Sequence, residues 1–234
     1  MMDRAIGAIS KTAGVNSFGM LYQWGRKDPF TLTNTLENSE VQIYNATGNP
    51  ITKGTNGIGT ADEQFKLDNT TITTINDLIQ NPSTYYINGN GKGDYWQSIA
   101  STEYYNITKE GDWWNPTIKT LYDPCPNGYR IPKSGTYGEG GQVAIHSDWS
   151  VWSADGLKSG RVFKNSSFFP ASGHRTRHSG GFRGVGESSN VWTSTAAKDN
   201  PVIGLCSTFS STAVNPNYGG SPYSDSYVTR CIKD

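Results

Sequence analysis

The run Asp123-Pro124-Cys125-Pro126-Asn127-Gly128-Tyr129-Arg130-Ile131-Pro132 constrains this chain more than any other stretch. Its three prolines hold φ near −65° and remove backbone donors, so it is neither helix interior nor central strand. Asn127 and Gly128 both tolerate positive φ and mark a turn. A cysteine sits inside this stiff segment, and another, Cys231, lies in the strand-like run that ends the chain. A bond between Cys125 and Cys231 would tie the loop to the last strand and close one module over everything between them. The alternative is two reduced cysteines, each buried separately.

With 234 residues, the chain makes one large domain or two small ones. Leu is scarce, while Gly, Ser, Thr and Asn are abundant, a profile that suits short strands and many turns. Seven Trp, thirteen Tyr and eight Phe are enough for a compact core. Formal net charge is zero, which gives no support to a nucleic-acid or membrane-surface partner. No apolar run approaches a membrane span. The start, Met1-Met2-Asp3-Arg4, has no apolar signal core and reads as a boundary just ahead of a domain, so the chain is expected to be part of a longer protein. Three cysteines leave the compartment open: a pair plus one fits an exported protein, three thiols a cytosolic one.

Along the chain, residues 3–30 read as strand, turn, strand, with Ala5 to Ile9 and Phe18 to Trp24 as the strands. Residues 31–73 are rich in Thr, Asn and Gly, with weak strand positions at Val41 to Ile43 and Ile51. Thr74 to Gln80 has helical spacing at Ile75, Leu78 and Ile79, with Thr74 as N-cap and Pro82 as the stop. Tyr85 to Trp114 is crowded with aromatics, expected mostly to fill the core, with a sugar-stacking platform as the other reading. A glycine-rich loop covers 133–141, and a short helix or strand is expected from Val143 to Trp152. Strands follow at Arg161–Phe163, Ser167–Phe169, Val191–Ser194, Val202–Phe209 and Tyr227–Ile232. Ile203, Leu205, Ser207 and Phe209 alternate with Gly204, Cys206 and Thr208, a period of two. Turn signals between these runs favour antiparallel pairing.

Several segments resemble one family in their order. They are Met2 to Ala8, Leu21 to Phe30, Tyr122 to Pro132, Phe169 to Arg175, Gly184 to Gly186, Trp192 to Thr195 and Arg230 to Asp234. Together they are similar to the Bacteroidota surface proteins that carry the Fibrobacter succinogenes major paralogous domain, which is associated with fimbrillin-like and lipoprotein anchors. The resemblance implies an α+β C-type lectin-like fold with small antiparallel sheets, few short helices and long loops. It also implies close termini, display at the cell surface or outside the cell through an anchor, and a binding role. The chain then reads as a single domain over 1–234, monomeric, with a loop-rich insertion at about 31–110. Two departures stand out: Lys133 to Gly141 is glycine-rich where the family has a helix, and Ser189-Asn190-Val191 replaces Gly-Tyr-Tyr before Trp192.

A narrower resemblance concerns the end of the chain. From Asp199 to Ile232 there is no Lys, Glu, Gln, Met or Trp. Mutation of the adenines in Asn codons reaches every residue type present there and none of these five. That looks like the variable region of proteins diversified by retroelements, which also use a C-type lectin-like scaffold. The plainer account is a Ser/Tyr/Asn-rich surface that lacks long side chains. Either way Tyr gives contact area at low entropy cost, and Asn and Ser give adaptable hydrogen bonds.

The ligand-binding residues expected on this basis are Asn190, Asn215, Asn217, Tyr218, Tyr223, Asp225 and Tyr227, with Trp192 in the core and a protein or glycan as ligand. No lectin-type calcium motif is present. Structural calcium is conceivable without assignable ligands, and no other cofactor is expected. His174 and His178 are four apart, a zinc spacing on a helix, but neighbouring Pro170, Gly173, Gly180 and Gly181 argue for a loop. No nucleophile motif such as Gly-x-Ser-x-Gly occurs. Cys206 alternates within an apolar strand and reads as a small buried residue. The chain is therefore expected to be a non-enzymatic binding module. The alternatives are a structural or tip subunit of a surface appendage and, behind that, an enzyme of the formylglycine-generating fold group.

Overall fold

The computed structural model describes residues 1–30, 113–177, 181–197 and 200–234, with short pieces at 43–44, 50–51, 66–68, 80, 82 and 84–86. Most of the expected insertion lies outside the described residues, as do residues 74–79 of the helix expected at 74–80, whose last residue Gln80 is described and helical, the aromatic pairs at 95–96 and 104–105, and His178. The strands are β1 (Leu21–Gln23), β2 (Ile43–Tyr44), β3 (Pro50–Ile51), β4 (Lys66–Asp68), β5 (Thr84–Tyr86), β6 (Tyr129–Arg130), β7 (Gly160–Phe163) and β8 (Ser167–Pro170). They continue with β9 (Ser172–Arg175), β10 (Phe182–Val185), β11 (Ser188–Ala197), β12 (Asn200–Ser210), β13 (Val214–Pro222), β14 (Ser226–Val228) and β15 (Ile232–Lys233). Among the described residues, helix is confined to Gln80 and two three-residue 3-10 turns, Val15–Ser17 and Gly156–Lys158.

The protein is thus mostly β. One seven-stranded sheet runs β1-β14-β9-β11-β12-β13, with β10 added to β9. Small antiparallel sheets were expected, and short two-stranded ladders do occur (β7–β8 and β6–β15), but the main sheet is larger and mixed. β11 is the reason: it pairs antiparallel with β12 but parallel with β14 at Val191↔Val228 and with β9 at Ser189↔Gly173. The segment around Ala5 to Ile9 is not a strand. It is held by single bonds, Ile6 N to Thr229 O and Met20 N to Ile6 O. Val143 to Trp152 is neither helix nor regular strand; Val143 bridges Val214, and Trp149 bridges Phe163. His174 lies on β9, an extended strand and not a helix.

Both faces of the main sheet are covered, because side chains alternate along each strand. On one face Val191, Phe209, Val214 and Val228 pack with Trp149, Phe163 and Phe169. On the other, Trp192, Cys206 and Tyr227 pack with Tyr22, Trp24, Trp114 and Tyr223. These cores are built from rings. Trp24 stacks on Tyr223 with centroids 4.3 Å apart, and Trp149 lies 5.0 Å from both Phe163 and Phe169. Their polar handles are satisfied across elements: Trp192 Nε1 donates to Tyr22 O at 2.7 Å and Trp24 Nε1 to Thr193 O at 2.8 Å.

The period-two pattern of β12 holds only in part. Trp192 pairs with Cys206, and the next pair is Ala196 with Gly204, so three residues of β11 stand against one of β12. Beyond this irregularity Ile203 packs with the Trp192 core, not with Phe209. Gly204 is required there: a Cβ would come within 2.3 Å of the Trp24 ring.

The proline-rich stretch forms a clasp. Cys125 and Cys231 are joined, with Cα atoms 5.9 Å apart and a sequence separation of 106. The buried Asp123 carboxylate accepts from Cys125 N at 2.8 Å and Ile131 N at 2.9 Å. Tyr129 N closes the turn on Pro126 O at 3.0 Å, with Gly128 at φ 77° as the turn demands. Lys119 Nζ donates to Tyr129 O at 2.8 Å and Cys125 O at 2.5 Å. Both ends of the chain meet here, Met2 N on Cys231 O at 2.8 Å and Asp234 N on Gly128 O at 3.0 Å. Ser194 N donates to Pro132 O at 2.8 Å and fastens the clasp to β11.

Candidate ligand-binding face

The residues expected to bind ligand separate into two groups. Tyr223, Asp225 and Tyr227 are 2%, 3% and 3% exposed, so they leave the candidate surface. Each has an internal task. Tyr223 stacks on Trp24, and Tyr227 lies 4.2 Å from Trp192. Asp225 accepts from Arg177 N at 2.7 Å and Arg177 Nη1 at 3.2 Å, and Tyr227 donates its hydroxyl to Ser221 Oγ at 2.7 Å. Burial pushes the phenols of both tyrosines well above their ordinary range. Their Ser/Tyr/Asp composition looked like surface, but β14 and the chain just before it run under the aromatic core.

Asn190, Asn215, Asn217 and Tyr218 stay outside. Asn217 and Tyr218 are exposed, the latter by 40%, and Asn190 and Asn215 are half-buried. The sheet brings three of these strands into one row, because Asn190 pairs with Thr208 and Thr208 with Asn215. The three side chains share the face of Trp192 and Cys206, but lie beyond the aromatic cover. The neighbouring row is Trp192, Cys206 and Tyr218, and on the other side Ser188 pairs with Ser210. Thr208 was not singled out in the sequence. Its partnership with Asn190 and Asn215 depends on cross-strand register, which no local pattern encodes.

Three features make this row available. Among the described residues, no protein group takes up the Asn190 amide or the Thr208 hydroxyl. The Asn215 side chain spends only its oxygen, accepting Asn217 N at 3.2 Å, and its amide protons remain. Tyr218 offers a ring at the edge strand. Asn217 instead contacts Ser134, next to the clasp, and so ties β13 to the loop after it. The tip of the β12–β13 hairpin is held from below by the buried Arg161, which donates from Nε and Nη2 to Ser210 O at 3.0 and 2.8 Å and from Nη1 to Ser150 O at 2.8 Å. The row is thereby presented on a braced hairpin.

Chemistry of other kinds has thinner support. The unpaired Cys206 is 1% exposed, and burial raises its thiol pKa far above the usual range, so it is a poor nucleophile at neutral pH. Among the described residues, no group of three or more His, Cys, Asp or Glu is placed to hold a metal ion. No helix among them is long and apolar enough to cross a membrane. Comparison with known proteins adds no relative: no family model, no curated protein and no solved structure matches the chain.

Proposed function

We propose that this chain is a non-enzymatic ligand-binding module of a cell surface, built on a C-type lectin-like scaffold, with its ligand face at the polar end of β11, β12 and β13. One observation carries the reading. Asn190, Thr208 and Asn215 form a continuous polar row over three strands, with polar atoms left unused beside the exposed ring of Tyr218. Such groups cost little to leave in water and gain when a ligand supplies matched partners. The scaffold reading is supported by ends that meet at a disulfide clasp beside a central sheet. The non-enzymatic reading is supported by a buried, unreactive free thiol.

The test is a binding screen of the purified protein against glycan and surface-protein arrays, repeated with the double variant Asn190→Ala/Tyr218→Ala. The expected result is loss of the captured ligand with an unchanged melting temperature. Captured ligands that bind the variant equally well would refute the assignment of this face. A sheet edge favours a second reading, an appendage subunit: β13 is an edge strand with Val143 bridged to it only at Val214, leaving the exposed stretch from Asn217 to Gly219 beyond. Concentration-dependent self-association in size-exclusion chromatography, abolished by Gly219→Pro, would support it.

A further inference from the structure

We infer that the ligand of this face is an uncharged saccharide, one or two hexose rings long, bound by direct hydrogen bonds without a metal ion; this rests on the ligand-face reading above. Three physical features point to it.

The first is charge. Ser188, Asn190, Thr208, Ser210, Asn215 and Tyr218 carry no formal charge, and the exposed carboxylate of Glu187 stands at the rim where β11 begins. An anionic sugar would meet no cation in the row and a carboxylate beside it. A neutral polyol meets only donors and acceptors.

The second is pitch. Neighbouring strands lie about 4.8 Å apart, so the row from Asn190 through Thr208 to Asn215 spans roughly 10 Å. The flanking Ser188–Ser210 row lies two residues along, roughly 7 Å away. That is the footprint of a mono- or disaccharide. It falls far short of the roughly 800 Å² per partner that a stable protein interface needs. Tyr218 is also the one large exposed ring among its described residues, whereas protein hot spots cluster several apolar or Arg anchors.

The third is donor chemistry. A primary amide presents a donor and an acceptor side by side, which match two adjacent hydroxyls of a pyranose. The free Asn190 amide and the amide protons of Asn215 flank the Thr208 hydroxyl, which can donate and accept. Tyr218, exposed on the adjacent row at the edge strand, supplies a face for the C–H surface of the same ring. No step requires a cation, which separates this mode from calcium-bridged sugar binding.

The experiment uses the full chain and a panel of neutral gluco-, manno- and galacto-oligosaccharides, with sialylated and uronic-acid glycans alongside. Binding is read by titration calorimetry and by saturation-transfer NMR, each with and without EDTA. Asn190→Ala, Thr208→Ala, Tyr218→Ala and Tyr218→Phe are measured in parallel, with thermal melts to confirm the fold. The expected pattern is binding of at least one neutral oligosaccharide that EDTA leaves unchanged, weakened at least tenfold in Asn190→Ala and Tyr218→Ala and retained in Tyr218→Phe. Preference for the acidic glycans, loss of binding in EDTA, or no neutral glycan bound at about 10 mM would overturn the proposal. If a protein ligand from the arrays binds and Asn190→Ala/Tyr218→Ala abolishes it, the sugar class fails while the face stands. If neutral glycans bind but every variant binds equally, the face itself fails.

Discussion

Removing the clasp disulfide with Cys125→Ala/Cys231→Ala should cost this protein a large part of its stability. The cross-link spans 106 residues, and the chain-entropy relation then gives a loss of about 16 cal/mol/K, or about 4.8 kcal/mol at 25 °C. Unfolding entropy near 2.1 cal/mol/K per residue over 234 residues is about 0.5 kcal/mol/K, so the melting temperature should fall by about 10 °C. The number is an upper one, because β6–β15 pairing and the Met2–Cys231 bond keep the ends near each other. Calorimetric melts of the wild type, the wild type under reductant and the double variant measure it. The reduced wild type and the double variant should agree with each other and melt below the oxidised wild type, and mass spectrometry of the unreduced digest should show Cys125 and Cys231 in one cross-linked peptide. A loss under about 1 kcal/mol would refute the reasoning. It would mean that the clasp is held by Asp123, Lys119 and the terminal strand, and that the bond constrains nothing further.

Other outcomes follow from the core. Gly204→Ala should cost about 2–3 kcal/mol in urea unfolding, because its methyl would displace Trp24 from its bond to Thr193 and its stack on Tyr223; a neutral effect would show that Trp24 has room to move. Arg230 is buried against the Phe169 ring, with Nε and Nη1 lacking acceptors among the described residues and Nη2 on Phe168 O. Burial lowers its pKa to about 10. Arg230→Met should therefore lie within about 1 kcal/mol of wild type, since a buried, incompletely paired cation is readily replaced by an apolar chain; a loss above 3 kcal/mol would contradict this. Burial raises the phenol pKa of Tyr22, Tyr85, Tyr137, Tyr223 and Tyr227. Their contribution to stability is complete below the unfolded value near 10 and is lost above it, at about 1.4 kcal/mol per pH unit for each group. Buried Arg161, Arg175 and Arg230 act in the opposite sense, the last two with pKa values lowered to about 9 and about 10, but they are three against five. Stability should fall above pH 10, with tyrosinate absorbance at 295 nm rising together with unfolding; gradual titration in the native state would refute it. Cys206 should resist iodoacetamide in the native protein and react only in denaturant.

What the sequence determined by itself is the local chemistry. Three prolines, Asn127-Gly128 and a cysteine dictate a rigid turn at one place, whatever surrounds it, because φ limits and missing donors act residue by residue. Abundant β-branched and aromatic residues between turn signals likewise dictate short strands, and Cys206 and Trp192 announce burial through alternation. Tertiary structure decided the rest. Tyr218, Tyr223 and Tyr227 are alike in sequence, yet one is exposed at an edge strand and two lie inside the aromatic core. Burial depends on which strands cover them, not on their own neighbours in the chain. The mixed pairing of β11 and the three-against-one irregularity opposite Leu205 are long-range events that no period of two records. The row of Asn190, Thr208 and Asn215 exists only because two registers align residues 18 and 7 apart in sequence on three strands.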